Sequence, residues 1–285
     1  MKKTLSIVLA LVMVLSCVFV LASCSGKKED PATTVADADT TAAEGETAAE
    51  GESDLAYIKE KGTLVVGITD FEPMDYKNED GEWIGFDADM AKKFADYLGV
   101  KVEFQEIDWD YKITEIDGKT IDCVWNGMTL TDEVTSAMDC SKAYCNNAQV
   151  IVVPADKAEE CKDAESCKEL QFAVEAGSAG EEVAADNGFN VTPVKDQATA
   201  IQEVAAGTSD AAIIDSLMAA AMVGEGTGFE QLAYTASLNS EEYGVGFRKG
   251  SDLVNEFNTF FDAAVADGTV EAVATEYGVQ AALIK

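Results

Sequence analysis

Strand-length apolar runs, each ending in a short polar loop and followed by a helical pattern, constrain this chain most. Thr63–Thr69 (Thr-Leu-Val-Val-Gly-Ile-Thr) is apolar almost throughout. A half-exposed strand alternates apolar with polar residues, whereas an unbroken run suits a parallel strand covered on both faces. The pattern returns at Ile121–Trp125, Gln149–Val153, Gln171–Glu175 and Ala211–Asp215. Helical stretches lie between. Asp87–Leu98 is the clearest, with Met90, Phe94, Tyr97 and Leu98 on one core-facing stripe, Asp87 as N-cap and Gly99 as stop. Trp125 reads as core packing, and Trp109 as a hydrophobic anchor that could reach a cleft rim. Alternating strand and helix is the mark of an α/β fold.

A chain of 285 residues suits about two domains. The composition shifts after Pro154. Ala155–Glu169 is polar, and then strand, loop and helix restart as an independent parallel-sheet unit. Two such units leave a cleft, and ligands bind at domain interfaces and at the carboxyl ends of strands. One segment stands out there. Asp122–Val134 leaves a short apolar strand through Asn126, Gly127 and Thr129, small polar groups at a strand's exit.

The first 23 residues read as a signal peptide: Lys2 and Lys3 as a basic head, an apolar run over Leu5–Ala22, then Ser23. Leu21-Ala22-Ser23-Cys24 resembles a bacterial lipobox, which implies cleavage before Cys24 and a palmitate-type lipid on it. Residues 24–52 are Ala, Thr, Glu, Asp and Gly, an acidic disordered linker that cannot repay the entropy of ordering. The formal charge of −33 excludes nucleic acid and anionic membrane surfaces as partners. With no His and a single Arg, Arg248, metal sites and acid–base chemistry that need imidazole are excluded, and no cofactor or metal is expected. Outside the signal and Cys24, five cysteines remain. Cys161 with Cys167, or Cys140 with Cys145, could pair, and Cys123 reads as a buried small hydrophobe.

Six motifs in order resemble bacterial extracellular solute-binding proteins of the polar amino-acid uptake family (family 3), the receptors of ABC importers. They are Phe71-Glu72-Pro73-Met74, Gly85-Phe86-Asp87, Trp125-Asn126-Gly127-Met128-Thr129, Glu175-Ala176-Gly177-Ser178, Asp210–Asp215 and Tyr243–Arg248. The resemblance implies a two-lobed periplasmic-binding-protein-like (type II) fold with two hinge strands and a cleft between lobes. Residues 53–153 and 243–285 would form lobe one, and residues 154–242 lobe two. It also implies ligand roles: Phe71 as stacking aromatic, Asn126, Gly127 and Thr129 as hydrogen-bonding groups, Ser178 in the second-lobe loop, and Asp215 on the ligand's ammonium. Ala179 stands where a hydroxyl is usual.

One departure matters more. The family's carboxylate-gripping Arg falls on Val134, so Lys112 or Lys142 would have to serve, or the ligand lacks a carboxylate. The function implied is capture of a small polar solute, an amino acid or related amine, by a monomeric lipoprotein of the cell membrane. Delivery would be to a permease with a separate ATPase. The alternatives are a dehydratase-like enzyme with Asp215 as general acid, and a sensor or adhesion lipoprotein.

Overall fold

The computed structural model describes residues 53–284. The expected signal peptide, Cys24 and the linker lie outside the described residues. Two sheets organise the chain. In the first, Thr63–Ile68 lies between Lys101–Glu106 and Cys123–Thr129, parallel to both, and Glu241–Phe247 runs antiparallel beside Cys123–Thr129. The short strands Asp139–Cys140 and Cys145–Asn147 close the far edge on Glu241–Phe247. In the second, Asn190–Val194, Gln171–Glu175 and Ala211–Asp215 are parallel neighbours, as the restarted pattern predicts. Gln149–Pro154 and Leu232–Ser237 extend that sheet, with Gln149–Pro154 antiparallel to Ala211–Asp215, so the sheet as a whole is mixed.

Gln149–Pro154 corrects one expectation. Its buried residues are covered by strands of the second sheet on either side, so the chain crosses between sheets ahead of Gln149. Pro154, which has no N–H to donate, ends a strand there and does not mark the crossing. The return crossing lies between Ser237 and Glu241. The two crossings run side by side. Asn147 is in register with Glu241, and Leu238 donates its N–H to Gln149 O at 2.8 Å. These are the two hinge strands of a two-lobed fold.

The first lobe's core is aromatic. Trp125 is fully buried, with its ring centroid 4.9 Å from Phe257, and Phe94 lies 5.4 Å from the same ring. Trp125 is therefore core, as expected. Tyr97 departs from the predicted stripe: it is half exposed and stacks on the outer face of Phe94. Asp87 is not the N-cap. Gly85 holds that position for the helix Phe86–Leu98, and Asp87 is buried within the first turn.

Arg248 is structural. Its Nε donates to both carboxylate oxygens of Asp54, at 3.1 and 3.0 Å, and its Nη1 donates to Ile121 O at 2.8 Å. Ser53 Oγ and the Leu55 N–H donate to the Asp252 carboxylate, so the first helix, Asp54–Lys61, is tied to the return strand and to the helix Leu253–Ala266. At the other end, Ile284 N donates to Tyr144 O and Asn146 N to Ala282 O. Cys161 and Cys167 form a disulfide, and Cys123, Cys140 and Cys145 are free thiols. Cys140 lies opposite Gly246 and Cys145 opposite Tyr243, at different levels of one strand, which keeps them from pairing.

Candidate ligand-binding site

A cavity of about 310 Å³ opens where the carboxyl ends of strands from both sheets meet. Its size suits a small molecule. Phe71, Asn126, Gly127, Thr129, Ser178 and Asp215 all line it, as does Val134. Lobe contacts frame it. Lys112 Nζ donates to Gly177 O at 2.7 Å, and Lys195 Nζ donates to Glu106 at 2.5 Å. Gly177 has φ +69°, and a Cβ there would sit 2.7 Å from Asp110 Cα, so only glycine allows this approach.

The first-sheet wall is held by its own lobe. Asn126 Oδ1 accepts from the Thr69 N–H at 3.0 Å and from its hydroxyl at 2.7 Å. Asn126 Nδ2 donates to Asp75 at 2.7 Å and to Thr69 O at 3.2 Å. The Gly127 N–H donates to Asp87 Oδ2 at 2.6 Å, and the Tyr144 hydroxyl donates to the same oxygen at 2.7 Å. This corrects the expectation that the Asn126 side chain and the Gly127 N–H are free for a ligand. Gly127 has φ +53°, and a Cβ would meet the Phe71 ring at 2.5 Å, so glycine seats that ring. Phe71 is 2% exposed and packs edge-on against Tyr243. Thr129 Oγ1 donates to Glu241 at 2.8 Å. Behind this wall, burial pushes Asp87 up to about 7, against hydrogen bonds from Tyr144 and Gly127 that pull it down. Burial, with Asp87 beside it, raises Asp75 well above the usual carboxylate range.

The second-sheet wall carries charge. Asp215 ends its strand at the N-cap position of the helix Ser216–Met222, but its side chain makes no cap bond. Its carboxylate accepts from Gln149 Nε2 at 3.0 Å and from the Tyr243 hydroxyl at 2.8 Å, and also from Asn147 and Gln197. Its partners therefore come from both sides of the hinge strands. Burial, with Glu241 nearby, raises it well above the ordinary carboxylate value. Glu175 ends the neighbouring parallel strand and also lines the cavity. It is 3% exposed, and burial, with Asp215 and Asp196 adding to it, pushes it up to about 8. Ser178 Oγ accepts from the Glu181 N–H and caps the helix Ala179–Asn187, a role that leaves its hydroxyl hydrogen uncommitted.

Of the two lysines considered for a carboxylate, Lys112 lines the cavity. Lys142 does not: it pairs with Asp262 on an exposed surface. Burial lowers the Lys112 ammonium, while Glu133, Glu175, Asp110 and Glu181 raise it. Glu175 escaped the sequence reading, although its signal matches that of Asp215: a carboxylate ending an apolar strand.

Residues 64–280 match the family described as bacterial extracellular solute-binding proteins, family 3. The chain belongs to that family. As a member it is the solute-binding component of an ABC importer and acts outside the cytoplasm. The L-cystine-binding protein TcyJ of Escherichia coli K12 is 30% identical over 231 residues, 79% of this chain and 86% of the relative. The arginine-binding extracellular protein ArtP of Bacillus subtilis 168 is 29% identical over 221 residues, 74% of this chain and 84% of the relative. Among solved structures, the ancestral amino acid-binding protein AncCDT-1, a precursor of cyclohexadienyl dehydratase, superposes with a TM-score of 0.73. It is 32% identical and covers 79% of this chain and 99% of its own.

Proposed function

We propose that this family member is lipid-anchored through Cys24 and captures a small nitrogenous solute as a monomer, for a permease with a separate ATPase. The Asp215 carboxylate carries this reading. It lines the cavity beside the hinge, where Asn147, Gln149, Gln197 and Tyr243 orient it; burial disfavours its ionised form, and a ligand ammonium offsets that cost with a strong charge-assisted bond. The Phe71 ring supplies an apolar platform, and the Thr129 and Ser178 hydroxyls supply the remaining polar contacts. A ligand touching both walls favours the closed arrangement by its differential affinity for it.

Asp215→Ala should abolish ligand-dependent thermal stabilisation, which for the wild type is about 3 kcal/mol at a hundredfold excess over Kd. An amine ligand held equally tightly by the variant would remove Asp215 from this role. Capture without turnover is the reading that relatives described as binding proteins favour. Recovery of the bound solute chemically unchanged checks it.

A further inference from the structure

We propose that the cavity takes a small organic dication without a carboxylate, an alkyl diamine or a decarboxylated basic amino acid. This rests on the solute-binding reading above and narrows it to a substrate class.

The first observation is charge balance. Glu133, Glu175, Glu181, Glu182 and Asp215 line the cavity, and Lys112 is the one cation among its lining residues. Lys112 is largely committed: it donates to Gly177 O and Trp109 O, lies over the Trp109 ring, and faces Glu133, Glu175, Asp110 and Glu181. A ligand carboxylate entering this space faces Glu133, Glu181 and Glu182, and it would have to share Lys112, whose ammonium already serves Gly177 O and Trp109 O.

The second observation is an orphaned group. Glu175 Oε1 is buried in the cavity wall with no hydrogen-bond partner. A buried carboxylate oxygen without a donor is a costly arrangement that a ligand N–H relieves. Glu175 and Asp215 end adjacent parallel strands, one position out of register, and both line the cavity. Glu133 and Glu182 are exposed at the solvent edge of the same cavity, which suits a second cationic nitrogen.

The third observation is apolar. Val134 is 3% exposed and puts a branched hydrocarbon on the wall where a guanidinium would be needed to hold a carboxylate. Arg248 cannot substitute, because Asp54 and Ile121 O hold it away from the cavity.

The test uses the mature chain and two matched pairs of probes, agmatine with arginine and cadaverine with lysine, each pair differing only in the carboxylate. Calorimetry should show the decarboxylated member binding at least about tenfold tighter in both pairs. Glu175→Gln should weaken cadaverine by about tenfold or more, with the ligand-free melting temperature not lowered. Tighter binding of arginine or lysine, or of another free amino acid such as cystine or histidine, overturns the proposal and leaves the solute-binding reading standing. That result would assign the carboxylate to Lys112. An unchanged cadaverine affinity in Glu175→Gln overturns the role of Glu175. Binding by none of these amines and amino acids overturns both the proposal and the reading beneath it.

Discussion

On the first-sheet side of the cavity, Asn126, Gly127 and Phe71 answer to their own lobe: the amide is bound to Thr69 and Asp75, the N–H to Asp87, and the ring is seated on Gly127. On the second-sheet side, Glu175 has an oxygen with no partner, and Asp215 shares its burial with neighbouring carboxylates. Both walls line one cavity, yet the unpartnered oxygens on the first side, on Asp75 and Asp87, lie behind the wall, whereas that of Glu175 lies in the wall itself. The first wall supplies shape and stability, and the second supplies the drive to bind. Substitutions should separate the two properties accordingly.

Phe71→Ala should have the largest effect on folding. Removing a 2%-exposed ring costs about 3–5 kcal/mol, read as a fall in the ligand-free unfolding midpoint. A loss confined to affinity would break the comparison. Asn126→Ala should cost about 1–3 kcal/mol, because Thr69 and the Asp75 carboxylate lose buried partners. Its stability loss should be the same with and without saturating ligand.

Glu175→Gln should go the other way at pH 8, raising ligand-free stability by about 1–2 kcal/mol, read as a higher unfolding midpoint, while weakening ligand. The pH dependence follows from the same group. Its value rises from 4.5 to about 8 on folding, so between those values the folded chain holds a proton that the unfolded chain has released. The stability this contributes is complete below 4.5 and is lost as pH rises through about 8. Asp87, raised to about 7, adds to the same slope. Thermal unfolding of the ligand-free protein should therefore fall in midpoint across this window, more shallowly in Glu175→Gln. Ser178→Ala, which loses a helix cap, should have the smallest effect on folding, about 1 kcal/mol.

Strand positions were legible because runs such as Thr63–Ile68 and Ala211–Asp215 are apolar along their length and need no tertiary information to be recognised. The six site residues were legible through motif order, and they do meet at one cavity. What each polar group does was not. Asp87 has the look of a cap by local rules, but its partners, the Gly127 N–H and the Tyr144 hydroxyl, lie 40 and 57 residues away. The Asn126 amide has the same difficulty with Thr69. The boundary at Pro154 misled because proline reports where a strand stops and not which sheet it joins. Glu175 was within reach, since a carboxylate closing an apolar strand carries the same desolvation signal wherever it occurs.

The anchoring of both ends of the folded region bears on how it responds to force. Ser53 and Asp54 are fastened to Asp252 and Arg248, and residues 282–284 to Tyr144 and Asn146, all within the first lobe. The second lobe is an inserted loop of chain with no end of its own. Tension applied through the termini loads the first lobe and passes the second by, leaving the hinge slack. A receptor pulled by its ends would thus keep its clamp free to close until the lobe that carries the load gives way.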